Sequence, residues 1–325
     1  MINLETKYAG LTLRNPLIIG SSGLTNNAEQ NKKLEDAGAG AIVLKSLFEE
    51  QIELQSNALQ QNSDYPEAID YIYNYVKANQ LNSYLELIQK TKKLCTIPII
   101  ASINCYKSDA WIEFARQIEA AGADALELNV FLLETDLTYD YQQTLDLYIQ
   151  LIRKVKETVS IPIMVKISKM VGNIPALVHT LTINGADAVV LFNRFYQPDI
   201  DIHSLKVTAN NVFSQPSDLS DTLRWTAIVS GKIQGVSIAS STGIHEWEDV
   251  IKCLLAGADA VQLCSTIYKQ GPGIISQILT CLEEWMSQKK YQSIDEFKGK
   301  LSYTHIANPS LYERAQFMKY HSNRK

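Results

Sequence analysis

The hydrophobic positions of this chain fall into short apolar runs, each introduced by one of two recurring phrases. The first is Gly-Ala-x-Ala. It precedes Ile42-Val43-Leu44 as Gly38-Ala39-Gly40-Ala41 and Leu126-Glu127-Leu128 as Gly122-Ala123-Asp124-Ala125. It returns as Gly185-Ala186-Asp187-Ala188 before Val189-Val190-Leu191, and as Gly257-Ala258-Asp259-Ala260 before Val261-Gln262-Leu263. A glycine suits the left-handed residue that ends a helix, and small residues behind it let the chain drop into a buried strand. The second phrase is proline ahead of an apolar run, in Pro16-Leu17-Ile18-Ile19, Pro98-Ile99-Ile100 and Pro162-Ile163-Met164, with Gly235-Val236-Ser237-Ile238 in the fourth slot. Proline is tolerated at a strand's first residue, where no ladder donor is needed. The phrases alternate, so the pattern predicts eight strands separated mostly by helical stretches.

A regular run of β/α units implies parallel strands covered by helices, and 325 residues accommodate one closed (β/α)8 TIM barrel with insertions. We therefore expect a single domain over 1–325, with a C-terminal tail from about 290, in preference to an open doubly wound sheet. Two stretches exceed what a barrel needs: Ser46 to Gln80 after strand 2, rich in Gln, Asn and Tyr, and Arg194 to Ser217 after strand 6. Loops of that length are usually lids or binding walls. Both fall on the face where barrel active sites lie, at the C-terminal ends of the strands.

That face carries the candidate chemistry. Lys45 closes strand 2 and Lys166 closes strand 5, and a lysine ending a buried strand is costly to place unless a polar ligand receives it. Snorkelling out of the barrel mouth is the bland alternative. Asn129 and Asn193 end strands 4 and 6, each offering an amide that donates and accepts. After strand 7 comes Ser240-Ser241-Thr242-Gly243-Ile244, opening a helix expected from about His245, and after strand 8 comes Cys264-Ser265-Thr266. Small residues there expose backbone N–H groups, and barrels often bind phosphate between these two loops. Two helix caps with no ligand are the competing reading. With the lysines, the pattern favours a planar, phosphate-bearing cofactor.

Composition narrows the class. Net charge is −5 with 46% hydrophobic residues and no dense basic patch, which argues against nucleic acid as the main partner. No apolar stretch approaches the ~20 residues of a membrane span, and the start of the chain lacks a signal-peptide layout. Five cysteines without a CxxC pair fit a reduced, cytoplasmic setting.

These residues together resemble the dihydroorotate dehydrogenase family, most of all its soluble class 1 branch, over nearly the full length. The resemblance rests on Asn15-Pro16 with Ser21-Ser22-Gly23, Lys45-Ser46, Glu127-Leu128-Asn129, Val165-Lys166, the run Ile238 through Gly273, and the tail Lys289 through Lys300. It implies an FMN-containing barrel that oxidises dihydroorotate to orotate in pyrimidine synthesis, working as a homodimer with a further electron acceptor or partner. Carried over, Ser22 and Gly23 pass close to the flavin ring, Lys45 contacts ring and substrate, and Lys166 stabilises negative charge on the reduced ring. Asn129 and Asn193 match polar residues around flavin and substrate, while Thr242-Gly243 and Cys264-Ser265 hold the phosphate. The family often has paired glycines in place of Thr242-Gly243, and glycine in place of Cys264.

The substrate side departs further from that pattern. Where the family reads Asn-x-Ser-Cys-Pro-Asn, with Cys or Ser as base, this chain reads Asn129-Val130-Phe131-Leu132-Leu133-Glu134. Leu132 accepts no proton, and Glu134 replaces a substrate-binding asparagine. Arg194 replaces a small hydroxyl residue, and the Asn-x-x-Gly-x-x-Asn substrate loop is missing. Replacement bases would have to come from Cys105, Tyr106, Glu134 or Asp136, and Arg194 is a candidate partner for Glu134. The sequence thus leaves three readings. They are a dihydroorotate dehydrogenase-like FMN enzyme, a flavin oxidoreductase for another heterocycle or unsaturated acid, and a non-catalytic barrel acting through protein partners.

Overall fold

A computed structural model describes residues 2–60, 69–104, 108–130, 135, 140–195 and 197–313. The alternating phrases become eight barrel strands: β1 Leu17–Ile19, β2 Ala41–Val43, β3 Ile99–Asn104, β4 Ala125–Asn129, β5 Ile163–Ser168, β6 Ala188–Asn193, β7 Ser237–Ser241 and β8 Ala260–Leu263. Each pairs in parallel with its neighbours in sequence, β8 returns to β1, and β2 against β3 completes the ring. The expected TIM barrel is therefore the observed fold. The helices are α1 Ala28–Asp36, α2 Glu49–Gln60, α3 Ile69–Leu94, α4 Ser108–Ala120, α5 Tyr141–Lys156, α6 Ile174–Ile183, α7 Leu219–Lys232, α8 Trp247–Ala256, α9 Ser265–Gln270 and α10 Gly273–Lys289.

The Gly-Ala-x-Ala phrase works as a fastener. All four of its glycines have positive φ, from +94° to +113°. In three copies the following Asp reaches back to the start of the preceding strand. Asp124 accepts from Ile99 N at 2.7 Å, Asp187 from Ile163 N at 2.8 Å, and Asp259 from Ile238 N at 2.8 Å. Each Asp also meets a lysine: Lys92, Lys156 and Lys298 respectively. The first copy has Gly40 instead, because Asn15 does the work from outside the phrase. Its Oδ1 accepts from Leu17 N at 3.0 Å and its Nδ2 donates to Gly38 O at 2.7 Å. A Cβ at position 40 would stand 2.3 Å from Asn15 O, so no side chain fits there. Replacing Asp187 with Ala leaves the Ile163 N–H without its acceptor inside the barrel wall. We expect a loss of about 1–3 kcal/mol in denaturant unfolding.

Strand alternation layers the barrel interior. Ile18, Val43, Ile100, Ala125, Met164, Val190, Ala239 and Ala260 share one inner cluster with Tyr8 and Leu13. Tyr8 and Leu13 lie on an N-terminal hairpin, Thr6–Tyr8 against Leu11–Leu13, which plugs the bottom of the barrel. Two residues further along β3, β4, β5 and β8, the same inward face becomes polar: Ser102, Glu127, Lys166 and Gln262, all buried. The apolar floor thus ends where the mouth begins.

The long stretches differ in form. After β2 the chain makes a short segment, Leu47–Phe48, that pairs with the end of β3 and then runs into α2 and α3. Most of the described part of this stretch is helix rather than loop. After β6 it forms an exposed hairpin, Pro198–Asp201 against Lys206–Ala209, followed by residues 210–218 leading into α7. The tail wraps back, with Leu301 N donating to Leu255 O and Tyr303 N to Ala227 O. Among the described residues, no helix is long and apolar enough to cross a membrane.

Candidate active site at the barrel mouth

A cavity of about 610 Å³ opens at the C-terminal ends of the strands. It is lined by the buried Lys166 and Gln262, by Gly20 and Ser21 after β1, and by Gly243, Ile244, Cys264 and Ser265 after β7 and β8. This volume lies in the range of small-molecule and cofactor sites.

Lys166 and Gln262 belong to a buried polar chain. Lys166 Nζ donates to Gln262 Oε1 at 2.9 Å, and Gln262 Nε2 donates to Glu127 Oε2 at 2.6 Å. Glu127 Oε1 lies 3.9 Å from Lys166 Nζ and has no hydrogen-bond partner. Glu127 is fully buried, so Lys166 is the cation that offsets its charge inside the barrel. Beneath them the Tyr8 hydroxyl, also without a partner, is pushed well above its ordinary pKa by burial and then by the Glu127 carboxylate. Gln262 and Glu127 escaped sequence reasoning as site residues. The available signal was a Gln and a Glu each set singly within an apolar strand.

The turns after β7 and β8 form a backbone cradle. Thr242 and Gly243 have φ of +81° and +84°, turning the chain sharply after β7. A Cβ on Gly243 would stand 2.2 Å from Leu219 N, so the turn is pressed against the start of α7. Thr242 Oγ1 donates to Phe192 O, and Thr222 Oγ1 reaches the carbonyls of Ser241 and Thr242, which fixes the turn from behind. α8 begins at Trp247 rather than at His245 as expected, because the Asp249 carboxylate takes the amides of His245 and Glu246. Among the described residues, the amides of Gly243, Ile244 and Ser265 donate to no protein acceptor. Unsatisfied amides beside a helix start suit an anion. Burial pushes the Cys264 thiol up, partly countered by the Ser22 hydroxyl and Lys166.

Other expected residues take varied positions. Asn193 lines the cavity and donates from Nδ2 to Asn129 Oδ1, so the two amides form one unit. Ser22 caps the short turn Gly23–Thr25, and Gly23 packs where a Cβ would meet Tyr268 Oη at 2.8 Å. Lys45 is half-buried after β2 and does not line this cavity. Leu132, Glu134, Cys105, Tyr106 and Asp136 lie outside the described residues. Arg194 lines the cavity, and its guanidinium is directed at Asp218, 2.8 Å away. The remaining cover comes from residues 209–214, with Phe213 tilted against Tyr268 at 5.3 Å between ring centroids. Among the described residues, none of 46–80 lines this cavity.

The family model described as dihydroorotate dehydrogenase matches residues 3–286 of the chain. Among curated proteins, the chain is 28% identical over 310 residues to the dihydroorotate dehydrogenase B (NAD(+)) catalytic subunit of Thermoplasma volcanium, covering 92% of this chain and 98% of that protein. The proteins of the same name from Thermoplasma acidophilum and Methanothermobacter thermautotrophicus are 26% and 27% identical. Those alignments cover 92% and 91% of this chain and 99% and 97% of the relatives.

Proposed function

Because this chain belongs to the dihydroorotate dehydrogenase family of oxidoreductases, we propose that it is an FMN-dependent oxidoreductase whose substrate side differs from the family pattern. The observation that carries the cofactor reading is that one cavity is lined both by a buried cation and by residues whose amides donate to no protein acceptor. Those two features suit the two parts of a flavin mononucleotide, a polar planar ring and a phosphate. Gly243, Ile244 and Ser265 would hold the phosphate, and Lys166, kept in place by Gln262, would face the ring. When bound, FMN supplies a two-electron acceptor for hydride.

This chain's residues would then bind and orient. Lys166 Nζ offers positive charge where a reduced ring becomes negative. The joined amides of Asn129 and Asn193 present one donor–acceptor edge to a heterocyclic substrate. Gly20 and Ser21 leave room for a flat ligand against β1. What the chain lacks is a base at position 132, and a positioned base typically contributes ~10²–10⁴ in rate. Dihydroorotate is the family's default substrate, and on this argument it is turned over slowly here. The relatives are named catalytic subunits with NAD(+), so we extend the proposal to electron delivery through a partner protein. A homodimer is the assembly the class 1 resemblance implies.

The test is stopped-flow reduction of the bound flavin by dihydroorotate. We expect slow reduction by the unmodified protein and at least a tenfold gain in Leu132→Cys or Leu132→Ser. Fast reduction by the unmodified protein would overturn the altered-substrate reading and direct attention to Cys105. A purified protein without flavin absorbance, unable to take up added FMN, would overturn the cofactor reading.

A further inference from the structure

Arg194 spends its donors on the chain rather than on a ligand. Its Nη1 donates to Asp218 Oδ2 at 2.8 Å, its Nη2 to Asn211 O at 2.7 Å and Gln197 Oε1 at 3.3 Å, and its Nε to Val212 O at 3.4 Å. A guanidinium has five N–H groups, so four bonds leave it little to offer an anionic substrate. All four acceptors lie on residues 197–218, the segment that crosses the cavity between β6 and α7.

That segment has little else to hold it near Arg194. Asn210, Asn211, Val212 and Phe213 are all exposed, and Val212 is 76% exposed, so apolar burial does not pin them. A stretch with few buried contacts opens readily unless polar bonds close it. Besides the Phe213–Tyr268 ring contact, a second polar fastening among the described residues is at Ser214. Its N–H donates to Ser265 Oγ at 3.0 Å, its carbonyl accepts from Lys269 Nζ at 3.0 Å, and its hydroxyl meets His245 Nε2 at 3.1 Å. The Ser214 fastening follows two residues after the Val212 carbonyl that Arg194 holds and ties the segment to Ser265 of the amide cradle.

We propose that Arg194 is a positioning residue, the latch of a strap formed by residues 197–218, and that releasing it sets how fast a ligand enters and leaves the cavity. Asp218 is the keeper of the latch. Its Oδ2 also accepts from Gln215 N at 2.9 Å, so one carboxylate joins the arginine to the strap's own turn. This accounts for a large cation where a small hydroxyl would suffice to touch a ligand. The expected partner Glu134 lies outside the described residues; among those described, the carboxylate that meets Arg194 is Asp218. The latch itself stands on geometry alone. Its effect on FMN rests on the function proposed above.

The experiment measures hydrogen exchange of the peptide spanning residues 210–215, and in parallel the release rate of FMN, for the unmodified protein, Arg194→Ala, Arg194→Lys and Asp218→Ala. Loss of the latch is expected to speed exchange at 210–215 at least tenfold in Arg194→Ala and Asp218→Ala, with exchange in β7 and α8 unchanged. FMN release should quicken by a similar factor. Arg194→Lys keeps the charge but not the fork and should restore less than half of the protection. Unchanged exchange in both alanine variants would overturn the latch, and so would full restoration by lysine. Faster exchange with unaltered FMN release would overturn its control of access. If the unmodified protein takes up no FMN, the cofactor reading fails, while the exchange measurement still decides the latch.

Discussion

Replacing Lys166 with methionine is expected to lower the melting temperature and the flavin potential together, and adding Glu127→Gln is expected to restore only the first. Glu127 is fully buried with one oxygen unpartnered, and Lys166 Nζ stands 3.9 Å from it. Removing one partner of a buried pair costs about 3–5 kcal/mol, because the other charge stays behind without compensation. Glutamine at 127 removes that stranded charge while still accepting from Gln262. The potential follows different logic, since it depends on a cation facing the ring, and neither methionine nor glutamine supplies one. Thermal unfolding of the apoprotein and a redox titration of the holoprotein separate the two effects. A double variant that recovers stability and potential alike would show that Lys166 does not face the flavin. Beside the cofactor role that the family resemblance implies for Lys166, the buried Glu127 carboxylate next to it adds a structural duty.

The second large effect concerns the amide cradle, where two substitutions should fail for different reasons. Gly243→Ala should destabilise the whole protein, since its Cβ would stand 2.2 Å from Leu219 N on a backbone with φ of +84°. Such overpacking on a strained backbone costs several kcal/mol, and neither turn nor α7 can give way cheaply. Ser265→Asp should leave the fold intact, because a carboxylate in the first turn of α9 is favourable and can still accept from Ser214 N. It should nevertheless weaken FMN binding by at least about 100-fold, or about 2.7 kcal/mol, by opposing the phosphate. Melting temperature and an FMN titration distinguish the cases. Undiminished FMN affinity in Ser265→Asp would remove the phosphate from this cradle.

The barrel was legible because its signals are local. A glycine in the left-handed region, a small residue and an apolar run lie within a few positions, and four copies reinforce each other. Lys166, Asn193, Gly243 and Ser265 were found as cavity-lining residues by the same route, as chemistry at strand ends. What local pattern could not give was pairing across the barrel. Gln262 stands 96 positions from Lys166, and Glu127 stands 135 from Gln262, so no spacing rule links them. Arg194 was visible as an unusual residue, yet its partner Asp218 is 24 positions away across an exposed hairpin. Lys45 shows the reverse case, in which a strand-end lysine suggests a ligand although the side chain does not line the cavity.

The fasteners at the strand starts have a consequence for how the chain folds. Asp124, Asp187 and Asp259 tie β4 to β3, β6 to β5 and β8 to β7, and Asn15 ties β1 to the turn before β2. The side-chain bonds span only 21 to 25 residues, so each closes a short loop at low entropic cost. The seams between β2 and β3, β4 and β5, β6 and β7, and β8 and β1 have no such Gly-Ala-x-Ala clasp. Each clasped pair can thus register locally before the ring closes. Glu35 holds Thr96 and Ile97 ahead of β3 and Glu119 holds Ser160 and Ile161 ahead of β5, joining successive pairs. Ring closure at β8 and β1 joins the most distant parts of the chain, and that step sets the topological cost of the fold.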